Sequence, residues 1–177
     1  VDKREDGFHI TLDTGIFRAQ SLVVATGGLS IPKIGATGFG YQIARQFGLQ
    51  LLEQRPGLVP LTFDQDVLTR CKSLSGLSVE AEVGYRSTAF AEGLLFTHRG
   101  LSGPSILQIS SYWREGEVIF VNLIPDIPLY DLLRTQRQAQ GRRNLTTELA
   151  HHLPARLVEY LTAHLALSSN LADQSDA

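Results

Sequence analysis

Two short stretches of small residues are the parts of this sequence best suited to hold a ligand. Ala25-Thr26-Gly27-Gly28 closes the apolar run that begins at Ser21. A strand with such an end brings nearly bare backbone to the carboxyl edge of a sheet, where open α/β folds bind ligands. Further on, Gly35-Ala36-Thr37-Gly38-Phe39-Gly40 leads into a helical pattern. Free N–H groups and the positive end of a helix dipole can there face a phosphate or a cofactor carbonyl. The spacing is not the dinucleotide fingerprint, which needs glycine where Ile43 stands, nor a Walker loop, which needs a lysine. From the residues alone, a ligand site around Thr37-Gly38 and a plain turn capping a helix are equally open.

The second candidate is Phe96-Thr97-His98-Arg99-Gly100-Leu101-Ser102-Gly103-Pro104. An imidazole at a turn can donate a proton or orient a substrate near neutral pH. Ser102 is placed to cap a helix whose first turn holds Pro104, since proline lacks the N–H that is unused there. No carboxylate or nucleophile stands at a useful spacing, so a structural turn is favoured and no catalytic residue is assigned. His98, Ser102 and Gly103 are kept as candidates for lining a substrate pocket. His151 and His152 are neighbours on a helical pattern and point about 100° apart, poor geometry for sharing a metal, so no metal site is expected. Cys71, between Arg70 and Lys72, reads as an ordinary surface or half-buried thiol. Asn144-Leu145-Thr146 reads as a helix start.

The elements that would position these groups follow from periodicity. Phe8, Ile10 and Leu12 alternate with polar residues, Asp13-Thr14-Gly15 turns, and Ile16 to Ala19 returns, which predicts a hairpin. Ser21 to Thr26 reads as a strand buried on both faces. Phe39, Ile43, Ala44 and Phe47 fall at helical spacing, closed by Gly48. Pro56 marks a domain boundary, and Pro60 makes Leu58 to Phe63 an edge strand or a crossing between domains. Leu77 to Val83, Thr88 to Phe90, Gly93 to Thr97 and Glu117 to Leu123 predict a small antiparallel barrel or sandwich, with a helix from Pro104 through Ile109. Leucines at helical spacing between Leu129 and Leu165 predict three helices. The fold class is α+β: a partial Rossmann-like segment over 1–56, a barrel-like domain over 57–126, a helical subdomain over 127–167 and a disordered tail over 168–177.

Composition excludes several functions. The chain has 177 residues, 43% of them apolar, and a single cysteine, so neither an internal disulfide nor a cysteine-based metal site can form. No run approaches the roughly 20 apolar residues of a membrane helix, and the N-terminus lacks a secretory h-region, which leaves the cytoplasm and no membrane partner. Net charge is -2 and the basic residues are scattered, so nucleic acid is not expected as a partner. There is no methionine. Together with a buried strand that lacks parallel neighbours, this points to a piece of a longer protein.

Leu22 to Gly28, followed by Ser30, Pro32, Gly35, Thr37-Gly38 and Gly40-Tyr41, then Pro56 and Leu58-Val59-Pro60-Leu61, resembles the BaiN/YhiN-type NAD(P)/FAD-dependent oxidoreductases. The resemblance continues through Gly76-Leu77-Ser78-Val79, Gly93 to His98, Gly100 to Pro104 and Leu153 to Leu157. It implies a Rossmann-like FAD domain interrupted by an inserted barrel and helices. It also implies hydride transfer from NAD(P)H through FAD to a small molecule, with the insert shaping the substrate pocket. Ala25, Thr26, Gly27 and Gly28 would lie beside the FAD, with Thr37 and Gly38 close by. The remainder of the FAD domain would be this chain's partner, and without it the chain is not expected to hold FAD stoichiometrically. Many relatives carry an acidic residue where Phe39 stands, which puts any polar contact there in doubt. A non-enzymatic interaction module, or an independent phosphate binder built on Gly35 to Gly40, are the competing readings.

Overall fold

The structure is a computed structural model and describes residues 1–140, 142–165 and 170–173. The chain divides into two compact units, Val1–Gln54 and Arg55–Ala177, parting close to Pro56.

In the first unit, β1 (Asp2–Arg4), β2 (Gly7–Leu12) and β3 (Gly15–Ala19) form an antiparallel meander in that order. The hairpin expected from the alternation of Phe8, Ile10 and Leu12 is β2–β3, and β1 is an addition. The buried residue of the sheet is His9 on β2, 5% exposed, whose Nε2 lies 2.7 Å from Asp6 Oδ1. That hydrogen bond holds the Asp6 carboxyl below its ordinary range. The helix α1 (Phe39–Gln46) ends as the sequence predicts. Gly48 takes φ +70°, and Gly48 N–H and Leu49 N–H donate to the Arg45 and Ala44 carbonyls. Phe8 meets Phe47 edge-on at 5.8 Å, and Ile43 is buried.

One expectation fails here. Ser21 to Thr26 is not a strand and not buried: it joins no ladder, and Val23 is 85% exposed. A β-branched run becomes a strand only when a neighbour takes its hydrogen bonds, and none of the described strands lies beside it.

The second unit is α+β. Its sheet is a curled antiparallel half-barrel in the order β4 (Leu61–Thr62), β7 (Gly100–Ser102), β6 (Thr88–Thr97), β5 (Ser78–Tyr85), β8 (Phe120–Asn122). Of the two readings of Leu58 to Phe63, the edge strand is found, though only Leu61–Thr62 pairs. The segments Thr88 to Phe90 and Gly93 to Thr97 are one strand rather than two, because Ala91 and Glu92 keep their pairing with Glu82 and Ala81. On β5 the alternation sends Val79, Ala81, Val83 and Tyr85 inward. The helix α3 (Pro104–Ser110) lays Ile106 and Ile109, both fully buried, over this face. A further helix, α2 (Gln65–Arg70), is capped by Asp64, whose Oδ1 accepts from Val67 N–H at 2.8 Å.

The helices α4 (Leu129–Gln140), α5 (Leu145–Ala150) and α6 (Ala155–His164) complete the unit. Asn144 caps α5 by accepting from Thr146 N–H at 2.8 Å, the helix start expected there. These helices do not build a core of their own. Leu145, Leu149, Leu157 and Val158 join Leu74, Val83 and Leu94 in one cluster, because short amphipathic helices bury a face more fully on a sheet than on each other. Part of the expected tail is ordered: Leu171–Asp173 is a 3-10 turn with Leu171 2% exposed, tied by its N–H to the Arg143 carbonyl. Residues 168–169 and 174–177 of that expectation lie outside the described residues. Among the described residues no helix is long and apolar enough to cross a membrane.

Candidate functional site

In the first unit, the two glycine-rich stretches come together. A Cβ built on Gly40 would stand 2.9 Å from Thr26 Oγ1 and 3.5 Å from Val24 Cγ1; one on Gly28 would stand 3.0 Å from Tyr41 Oη. Only a residue without a side chain lets the start of α1 approach this closely. A 3-10 turn over Pro32–Ile34, closed by Gly35 at φ +89°, folds the intervening loop back. Thr37 Oγ1 accepts weakly from Phe39 N–H at 3.4 Å, and no side chain caps α1 at Gly38. Ala25, Thr26, Gly27 and Thr37 are exposed, Gly28 and Gly38 half-buried. Gly27 has φ +70° and open space where a Cβ would stand. The result is an exposed wall of nearly bare backbone beside an uncapped helix start. Tyr41 belongs to this wall although sequence reasoning named it only within the resemblance.

In the second unit, the sequence candidates separate. His98 is exposed in the β6–β7 turn and lines a cavity of about 470 Å³ with Gln65, Thr69, Lys72 and Ser75. The turn is held by Thr97 Oγ1, which accepts from Arg99 and Gly100 N–H at 3.2 and 3.1 Å. Ser102 and Gly103 do not line that cavity. Ser102 ends β7 opposite Leu95 and is not the helix cap; the cap is Gly103, at φ +94°, where a Cβ would fall 2.5 Å from the Gly93 carbonyl oxygen. A serine there would overlap the backbone of β6, which is why the chain places glycine at the cap and serine in the strand.

Three other groups are now placed. Cys71 is buried rather than superficial, with Sγ 3.4 Å from Tyr160 Oη. Burial first, and the Cys71 contact second, push the Tyr160 phenol up to about 12. His151 ends α5, and with His152 it borders a cavity of about 450 Å³ that also meets Glu80 and Asp126. No group of three metal-ligating side chains gathers among the described residues. Glu117 accepts from the Tyr85 hydroxyl and, at 3.0 Å, from Arg86; the Tyr85 bond first, and the Arg86 bond and charge after it, hold its carboxyl below the ordinary range.

Residues 55–177 match the HI0933-like protein barrel and H2TH domain. The chain belongs to the HI0933-like family. The barrel of the HI0933-like description corresponds to the curled sheet β4–β8, and its helical part to the helices that follow. Over 162 residues the chain is 49% identical to the ribosomal RNA dihydrouridine synthase of Escherichia coli, an alignment covering 91% of this chain and 40% of that protein. The Haemophilus influenzae ribosomal RNA dihydrouridine synthase is 39% identical over 153 residues, covering 86% and 38%. The 3-dehydro-bile acid delta(4,6)-reductase of Clostridium scindens is 28% identical over 162 residues, covering 88% and 38%. The chain thus spans about 40% of the length of these relatives. The likeness supports the expected kinship with flavoprotein oxidoreductases.

Proposed function

We propose that this chain is part of a flavin-dependent oxidoreductase that adds hydride to a carbon–carbon double bond next to a carbonyl, the acceptor being the uracil ring of an RNA uridine. The observation that carries the reading is what the relatives' names have in common. Making dihydrouridine and reducing a delta(4,6) bond of a 3-dehydro bile acid both saturate an electron-poor double bond, and these proteins share this segment. The 49% identity to a ribosomal RNA dihydrouridine synthase supports RNA as the acceptor. It departs from the expectation, drawn from net charge, that nucleic acid is not a partner, and from the small-molecule acceptor implied by the resemblance.

The residues present fit a flavin. Gly27 leaves open space at its Cβ position, and Ala25 and Thr26 are exposed, so a flat ring system can lie against this backbone. Gly28, Gly38 and Tyr41 would flank it, with Thr37 positioning the loop. At the start of α1 Gly38 supplies no side-chain cap, and apart from the weak Phe39 bond to Thr37 its N–H groups are suited to a carbonyl or phosphate oxygen. FAD, when bound, supplies hydride taken from NADH or NADPH, while the protein supplies orientation and exclusion of water. The exposed apolar residues of this unit, among them Val23, Ile31 and Leu52, would be covered by the remainder of the FAD domain.

Expression of the longer protein that carries this chain tests the reading. Its spectrum should show bound flavin, NADPH or NADH should bleach it, and ribosomal RNA from cells lacking the gene should lose a dihydrouridine in nucleoside mass spectrometry. An unchanged nucleoside profile would remove RNA as the acceptor, and a colourless protein would remove the flavin.

A further inference from the structure

We propose that the cavity beside His98, with the cations around it, is a contact surface for the phosphate backbone of an RNA strand. This rests on RNA being the acceptor. The cavity is lined by Gln65, Leu68, Thr69 and Lys72, which share one face of α2 and the turn after it, and is closed by Ser75 and His98. Its lining offers an ammonium, an imidazole, an amide and the hydroxyls of Thr69, Ser75 and Thr97, and no carboxylate. Exposed cations stand near these lining residues in the chain: Arg99 follows His98, Arg70 comes two residues before Lys72, and Arg156 reaches from α6 to donate to the Ser73 carbonyl at 3.3 Å, one residue past Lys72. More positive groups are gathered than one phosphate needs, which favours a strand over a single nucleotide.

Pairing separates these cations from others in the same unit. Arg86 and Arg143 are bound to Glu117 and Glu148 at 3.0 and 2.9 Å. Among the described residues, none of the ion pairs involves Arg70, Lys72 or Arg99; the carboxylates of α2 are Asp64, which caps it, and Asp66 in its first turn. Unneutralised cations on one face attract a polyanion and release its counterions. Contacts of this kind position a strand without reading its bases. The cluster is invisible in the sequence because His98 and Arg156 join Arg70 and Lys72 only in the fold, and a net charge of -2 averages it away.

Fluorescence anisotropy with a labelled uridine-containing single-stranded RNA, between about 50 and 200 mM salt, tests the surface. Lys72→Ala and Arg99→Ala should each weaken binding several-fold and flatten the plot of log affinity against log salt by about 0.7, the slope carried by one phosphate contact on a single strand. The double variant Lys72→Glu/Arg99→Glu should lose at least about 10-fold with its circular dichroism unchanged, while Arg86→Ala binds as the parent does. Parental affinity and slope in the double variant would overturn the proposal. So would variants that weaken NADPH binding and leave RNA binding intact, which would assign the cavity to a dinucleotide phosphate. Flavin turnover with a dye acceptor, measured on the longer protein, is independent: turnover without RNA binding sinks the surface alone, and RNA binding without flavin sinks the enzymatic reading alone.

Discussion

Thr26 and Gly40 lie so close that a Cβ on Gly40 would stand 2.9 Å from the Thr26 hydroxyl oxygen. Gly40→Ala should therefore set two effects against each other. Alanine in a helix gains about 0.5–1 kcal/mol over glycine, while overpacking costs about 1–3 kcal/mol. The single substitution is expected to destabilise the first unit by about 1 kcal/mol. Thr26→Ala/Gly40→Ala should recover the loss, because the clashing hydroxyl is gone. Urea unfolding followed by circular dichroism reads both; a double variant no better than the single one contradicts the close approach.

Gly100→Ala should be far more damaging. Gly100 has φ +148°, and a Cβ there would fall 2.2 Å from the Leu61 carbonyl oxygen, in the β4–β7 pair. Backbone cannot swing aside as a hydroxyl can, so a loss of about 3 kcal/mol or more is expected. Trp113 is the chain's one tryptophan and lies in this unit, so its fluorescence reports the transition.

Acid should weaken the second unit through Glu117. Its folded carboxyl is held below the unfolded value, chiefly by the Tyr85 hydroxyl and then by Arg86, so the unfolded chain binds more protons between the two values. The contribution is complete above the ordinary value of 4.5 and is lost as pH falls through the lowered one. The unfolding midpoint should drop with pH in that window, and Tyr85→Phe should shrink the drop. An equal drop in both proteins contradicts the assignment.

Cys71 should resist thiol reagents in the native protein. It is buried against Tyr160, so modification by a disulfide reagent should proceed no faster than the chain opens. Rapid native-state labelling would place the thiol at the surface instead.

Much of this architecture was legible because the signals were local. Gly48 ends α1 by its left-handed backbone, Pro104 starts α3 where its missing N–H is not needed, and Asn144 caps α5 with its side-chain oxygen. The misreadings came from context. Ser21 to Thr26 has strand composition, but a strand is a property of two segments, and a partner cannot be read from one. Ser102 looked like a cap until the closeness of β6 restricted the cap to glycine. The helix α2 was missed although Asp64, three residues before Val67, carries a capping signature. Of the candidate site, the small residues were visible in sequence, whereas the approach of Thr26 to Gly40, and the meeting of Lys72 and His98 at one cavity, exist only after folding.

We propose that the wall around Ala25 to Gly28 lies against a flavin. This is tested most directly by the flavin content of the longer protein and of its Ala25→Trp variant, since Ala25 is exposed and a bulky ring there occupies the wall without disturbing a core. The parent should hold about one equivalent of flavin by absorbance after unfolding, and the variant, with an unchanged circular dichroism spectrum, should hold little. Full flavin occupancy in the variant would contradict the claim.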